Sequence, residues 1–129
     1  RILVAEDDYV NQQVISEILQ KFGYYAEIVV NGHEAVAKLE QHDFDLVLMD
    51  VQMPEMDGIE ATQIIRDPVS RVRDHKVPVI AVTAHAMAGD RERFLEAGMD
   101  DYVAKPLQMN ELIEMIRRFL PQANNDLAC

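Results

Sequence analysis

Asp50 is the residue of this chain best placed to do chemistry. It ends the apolar run Leu46, Val47, Leu48, Met49, and Pro54 and Gly58 follow in a turn-forming stretch. A short continuous apolar run bounded by turn signals fits a strand buried on both faces. An acid at the carboxyl end of such a strand stands where open α/β sheets bind their ligands. A lone aspartate there is most often a turn former, so the case rests on what else reaches the same place. Glu6, Asp7 and Asp8 follow the apolar run Ile2 to Ala5, Thr83 follows Pro78 to Val82, and Lys105-Pro106 follows Tyr102 to Ala104. Acids, a hydroxyl and an ammonium therefore all stand at strand ends.

Carboxylates crowded at one crevice repel each other. Two charges ~4 Å apart cost roughly 4 kcal/mol at an effective dielectric near 20. A fold tolerates that when a cation occupies the site. Carboxylate oxygens suit Mg²⁺, which keeps several waters and often shares its shell with a phosphate; Mn²⁺ is the alternative ion. Glu6, Asp7 and Asp50 form the predicted metal set. Lys105 adds a point charge on a flexible stem, and Thr83 adds a hydroxyl. The set suits a phosphoryl group held against Asp50, whose carboxylate can accept it as an aspartyl-phosphate. Taken singly, each piece has a plainer reading. The three acids suit a helix N-terminus, Thr83 suits a cap, Lys105 a solvated surface and Tyr102 a half-buried strand. The joint arrangement carries the argument.

The elements that must position these groups are legible in the periodicity. Strands are expected at Ile2–Ala5, Tyr25–Val30, Asp45–Met49, Pro78–Val82 and Tyr102–Ala104. Between them, helical spacing places Val10, Val14, Ile18, Leu19 and Phe22 on a first helix stopped by Gly23. Further helices are expected over Glu34–Gln41, from Gly58 toward Pro68, over Ala88–Ala97 and over Met109–Phe119. Asp8 is the expected cap of the first. The connection Asp67–Val77 exceeds the usual ~4–6 residues and reads as a surface loop with an extra helical turn. Strand-helix repeated five times predicts a doubly wound parallel sheet of flavodoxin-like type, in order 2-1-3-4-5. The switch point then falls between strands 1 and 3, where Glu6, Asp7 and Asp50 end. A single domain over residues 1–121 is expected, with a disordered tail over 122–129.

Composition narrows the function classes. The chain has 129 residues, 23 acids against 12 Lys and Arg, and a formal net charge of −11. Such a balance argues against direct binding to nucleic acid or an anionic membrane. Cys129 is the one cysteine, which excludes an internal disulfide and fits a reducing compartment. No apolar run approaches the roughly 20 residues of a membrane span, and no signal peptide is visible. A cytoplasmic location is expected, with membrane anchoring left open to a parent chain. The start at Arg1, directly before a strand, reads as a fragment of something longer.

These residues resemble the receiver domains of two-component response regulators, from Ile2 to about Phe119. The stretch Asp50 to Gly58 has the pattern D-x-x-M-P-x-M-D-G, and Ala97-Gly98-Met99-Asp100-Asp101-Tyr102 and Lys105-Pro106 match as well. Asp50 corresponds to the phosphorylated aspartate, Glu6-Asp7 to the acidic pair, and Thr83 and Lys105 to the catalytic hydroxyl and lysine. The resemblance implies that the Gln52 backbone carbonyl completes the metal shell, that the peptide before Pro106 is cis, and that Tyr102 is a switch aromatic beside Thr83. Val10-Asn11-Gln12, Gln52-Met53-Pro54 and Thr83-Ala84-His85-Ala86-Met87 are most similar to receivers of hybrid sensor histidine kinases. Such receivers exchange phosphate with a kinase histidine or a histidine phosphotransfer domain. The implied role is a phosphoacceptor that assists its own phosphorylation and dephosphorylation and acts on a partner or on flanking domains. Asp8, where Asn is more usual, and the long Asp67–Val77 connection depart from the pattern.

Two rival readings share the fold. A flavodoxin-like FMN module needs a Ser/Thr/Gly-rich phosphate loop after strand 1, where this chain has acids. An Asp-nucleophile phosphatase needs a second aspartate two residues after the first, where this chain has Gln52. A P-loop nucleoside triphosphatase is excluded by the absence of the glycine-lysine motif.

Overall fold

The computed structural model describes residues 1–84, 87 and 89–120. Five strands, β1 (Ile2–Ala5), β2 (Ala26–Val29), β3 (Leu46–Asp50), β4 (Val79–Thr83) and β5 (Asp101–Ala104), alternate with five helices. These are α1 (Tyr9–Lys21), α2 (Gly32–Gln41), α3 (Gly58–Arg66), α4 (Asp90–Ala97) and α5 (Met109–Phe119). All pairings are parallel, in order β2-β1-β3-β4-β5. The chain first winds outward from β1 to β2, then crosses back to β3 on the other side. The crevice between the ends of β1 and β3 follows from that reversal.

The central strands are apolar up to their last residues because both of their faces are covered. Leu3, Val47, Met49, Val79 and Ala81 point into one layer with Ala35, Leu39, Ala61, Ile65 and Phe94 of α2, α3 and α4. Ile2, Val4, Leu46, Leu48, Ile80 and Val82 point into the other, with Ile15, Ile18 and Leu19 of α1 and Leu112, Ile113 and Ile116 of α5. The period of two sorts one unbroken run into two cores. Asp50 and Thr83 are the last residues of β3 and β4 rather than the first beyond them. Asp50 pairs in register with Val82, and Thr83 with Ala104.

Helix starts follow their sequence signals. Asp8 caps α1 by accepting from Asn11 N at 3.0 Å. Asp57 and Glu60 form a reciprocal capping box on α3. Two expectations change. Val10 and Val14 are 66% and 36% exposed, so the inward face of α1 is Ile15, Ile18 and Leu19. The connection 67–77 contains turns but no helix, and it is not wholly at the surface: Val72 and Val77 are buried. Arg66 holds it in place. Its guanidinium donates to the carbonyls of Gly98, His75 and Val77 at 2.8, 2.8 and 2.7 Å and to Asp100 Oδ2 at 3.0 Å. Gly98 has φ +104, and a Cβ there would meet Arg66 Cγ at 2.7 Å. The expected tail, 122–129, and Ala88 lie outside the described residues.

Gly58 fixes how the chain leaves the site. Its N–H donates to Val51 O at 3.0 Å, and a Cβ would sit 2.3 Å from Asp50 O. That neighbour is backbone and cannot step aside. Gly58→Ala should therefore destabilise the domain by about 2–3 kcal/mol. Urea denaturation should show a lower midpoint with an unchanged slope; an unchanged midpoint would mean that the β3–α3 turn relaxes freely.

Candidate functional site

Each polar residue at the crevice is delivered by the element before it. β1 carries Glu6, whose amide extends the ladder to Val29 O at 3.0 Å. Glu6 is buried, at 1% exposure, and Asp50 at 3%. Asp7, next to Glu6, is exposed. One oxygen from each of Glu6, Asp7 and Asp50 lies within 4.8 Å of the others. Lys105, from the end of β5, reaches across with Nζ 3.1 Å from Asp50 Oδ2 and 3.3 Å from Glu6 Oε1. Asp50 Oδ1 accepts from Gln52 N at 3.1 Å, and Glu6 Oε2 from Asp8 N at 3.1 Å.

Glu6 Oε1 is buried without a hydrogen bond, since the ammonium faces it at ion-pair distance but off the bonding direction. Burial raises the Glu6 carboxyl above its ordinary value of 4.5, and the Asp50 charge adds to the rise against the Asp8 amide. Burial alone would lower Lys105, but the Asp50 and Glu6 carboxylates outweigh it and hold the ammonium above 10.5. A buried carboxylate kept short of partners beside two further acids is suited to a divalent cation. The trio offers oxygens only, which matches a hard ion and not a thiolate or imidazole metal.

The remaining candidates sit around this core. Thr83 is buried at the end of β4. Its carbonyl accepts Lys105 N at 2.7 Å, so the ends of β4 and β5 are joined directly. Tyr102 is half-buried, its ring 5.9 Å from that of Phe94 at 59°. The Lys105–Pro106 peptide is cis. Gln52 holds Asp50 through its amide, and its side chain is exposed. Asp8 is spent as a helix cap and lies outside the close trio.

Two further residues belong here: Gln12, which the sequence marks only within the Val10-Asn11-Gln12 match, and Arg93, which the sequence does not single out. Gln12 Nε2 donates to Glu6 O at 2.7 Å and ties α1 to the acidic turn. Arg93, on α4, lines hollows on both sides of Gln52. Gln12 carries a sequence signal through that match, whereas Arg93 has no local one, because it reaches the site only through helix packing.

The sequence profile of the response regulator receiver domain matches residues 2–117, and the chain belongs to that family. Over 120 residues it is 42% identical to the signal transduction histidine-protein kinase BarA of Escherichia coli K12, covering 93% of this chain but 13% of that protein. The receiver domain of the sensor histidine kinase PA1611 of Pseudomonas aeruginosa, solved with a magnesium ion coordinated in its active-site cleft, superposes with a TM-score of 0.81 at 43% identity. That match covers 92% of this chain and 94% of the other. The structure of the Saccharomyces cerevisiae phosphotransfer protein Ypd1 with the receiver domain of Ssk1 is matched at a TM-score of 0.79 and 28% identity, over 92% and 86% of the two chains. No helix among the described residues is long and apolar enough to cross a membrane.

The raised Glu6 carboxyl gives a pH signature. A raised folded-state value means that the native state binds the proton more tightly than the unfolded chain. Stability from this group is present below about 4.5 and is lost as pH rises through the higher folded value. In EDTA, wild type should therefore lose melting temperature relative to Glu6→Gln as pH rises from 4.5 toward neutrality. Parallel curves for the two proteins would show that Glu6 titrates normally in the fold.

Proposed function

We propose that this receiver domain accepts a phosphoryl group on Asp50 from a phosphohistidine donor and passes the event on as a change of shape. The observation that carries the reading is the ion pair of Lys105 with Asp50, set beside the close carboxylates of Glu6 and Asp7. An Asp50 oxygen attacks the donor phosphorus, the P–N bond to imidazole breaks, and the freed imidazole takes its proton from water. Lys105, already 3.1 Å from Asp50, then faces the new phosphoryl oxygens, and Thr83 donates its hydroxyl to one of them. Glu6, Asp7, Asp50 and the Gln52 carbonyl would hold Mg²⁺, or Mn²⁺ in its place, which when bound neutralises charge on the phosphoryl oxygens. The donor is a kinase histidine or a histidine phosphotransfer domain. Support comes from the exposed apolar edge of α1, Tyr9, Val10 and Val14, which begins beside the acidic turn. The chain works as a phosphoacceptor rather than a turnover enzyme, in the cytoplasm, within a longer protein of hybrid-kinase type.

Incubation with a phosphohistidine donor or acetyl phosphate and Mg²⁺ should add one phosphoryl group by intact mass. EDTA should abolish the gain, and Asp50→Asn should show none. Equal labelling of Asp50→Asn would move the acceptor elsewhere. Turnover of p-nitrophenyl phosphate instead would favour a phosphatase, and absorbance near 450 nm an FMN module.

Output runs through Thr83. A charge-assisted hydrogen bond of ~1.5–3 kcal/mol shifts a two-state equilibrium about ten- to a hundredfold. Drawing Thr83 toward the phosphoryl group opens space beside β5, into which Tyr102 turns. Thr83→Ala should still accept phosphate but lose this coupling. With beryllofluoride and Mg²⁺, the amide shifts of Tyr102 to Lys105 should be large in wild type and small in Thr83→Ala; equal shifts would falsify the coupling.

A further inference from the structure

We infer that Arg93 is a specificity-determining residue for the phosphoryl donor, favouring small dianionic donors by offsetting the acidic mouth of the cleft. This rests on the phosphoacceptor reading above and deepens it. Beyond Gln52 the cleft opens into two hollows, of about 460 Å³ on the Asp7 side and about 280 Å³ on the Thr83 side. Both share Val51, Gln52 and Arg93, so the arginine stands on the ridge between them. The other charged residues lining the hollows are Asp7, Asp57 and Asp90, which makes Arg93 the one cation among the described lining residues.

The partners of Arg93 leave it able to serve. Its Nη1 lies 3.5 Å from Asp90 Oδ1, with the arginine side chain 58% exposed. Such a pair is screened by water and readily exchanged for a stronger anion. Asp90 is engaged independently, since its Oδ2 accepts from Met87 N at 3.0 Å. Asp57 is likewise committed to capping α3. The guanidinium also lies 5.7 Å from the centre of the Phe94 ring, which sets the direction of the stem without burying the charge. In a chain of net charge −11, a cation at the mouth eases the entry of a dianion against the field.

The reaction concerned is ordinary phosphoryl transfer. With acetyl phosphate, the bond from an Asp50 oxygen to phosphorus forms as the bond from phosphorus to the acetyl oxygen breaks. Acetate leaves with the electron pair, and no proton or further reactant is required. Acetyl phosphate is a dianion at neutral pH, and phosphoramidate is predominantly a monoanion. Charge removal at Arg93 should therefore weigh more on the first.

The experiment is a time course of intact mass for the 129-residue chain with Mg²⁺ and each donor, at about 20 mM and about 0.5 M salt. Wild type is compared with Arg93→Met, which keeps the stem over Phe94, and with Arg93→Lys and Arg93→Glu. At low salt Arg93→Met should label with acetyl phosphate about three- to tenfold more slowly, with a smaller loss for phosphoramidate, and high salt should shrink both losses. Arg93→Lys should restore most of the rate, and Arg93→Glu should be slowest. Equal rates for wild type and Arg93→Met, or a loss independent of donor and salt, would overturn the assignment. Failure of wild type to label at all would instead remove the phosphoacceptor reading beneath it.

Discussion

The structure depends on one electrostatic arrangement: two buried carboxylates, Glu6 and Asp50, facing a single ammonium, Lys105. Three strands must end at the same level for it to exist. β1 brings the first acid, β3 the second, and β5 the lysine from two places away in the sheet. The charges do not balance. Two buried acids and the exposed Asp7 confront one cation, and Glu6 Oε1 is left without a hydrogen bond. Buried charge in deficit of partners is costly, and proteins keep such sites where binding relieves the cost. On the function proposed above, the relief would be a divalent ion followed by a phosphoryl group, each of which would change the charge seen by Lys105.

The surrounding fold is rigid on one side of this cluster and lightly fastened on the other. The β3–α3 turn is closed by Gly58 N on Val51 O and by a capping box at Asp57. The acidic turn is tied down by Gln12 and by the Asp8 amide. On the opposite side, α4 begins at Gly89 with no side-chain cap on its first turn and buries only Phe94 and Ala97. Its far end is pinned by Arg66, which binds the Gly98 carbonyl and Asp100. A helix fastened at one end and resting on one aromatic is suited to respond to small shifts at its free end. The Thr83 carbonyl accepts from Lys105 N and so joins the ends of β4 and β5 directly beside that helix.

Much of this was legible in the residues. The five apolar runs with helical spacing between them determined an α/β sheet, since continuous runs fit strands covered on both faces and the alternating helices force parallel pairing. That Asp50, Glu6, Asp7 and Lys105 would meet was legible because strand ends in such sheets converge, so a group's distance along the chain does not matter. Boundaries were less so. Asp50 and Thr83 proved to lie inside β3 and β4, because ladder pairing with Val82 and Ala104 extends each strand by one residue.

What only the tertiary structure decided are contacts made across elements by side chains without a local pattern. Val10 and Val14 share the helical spacing of α1 yet are exposed, while Ile15, Ile18 and Leu19 of the same helix face the core. The connection 67–77 reads as a polar loop, but Arg66 gathers its carbonyls and buries Val72 and Val77. Arg93 has no signal in the sequence and Gln12 only its place in a short match, and the packing of α4 and α1 brings both to the cleft. Periodicity reports which face of an element is apolar. It carries no information on which long polar side chain will cross a gap between elements, since that depends on distances set by the whole sheet.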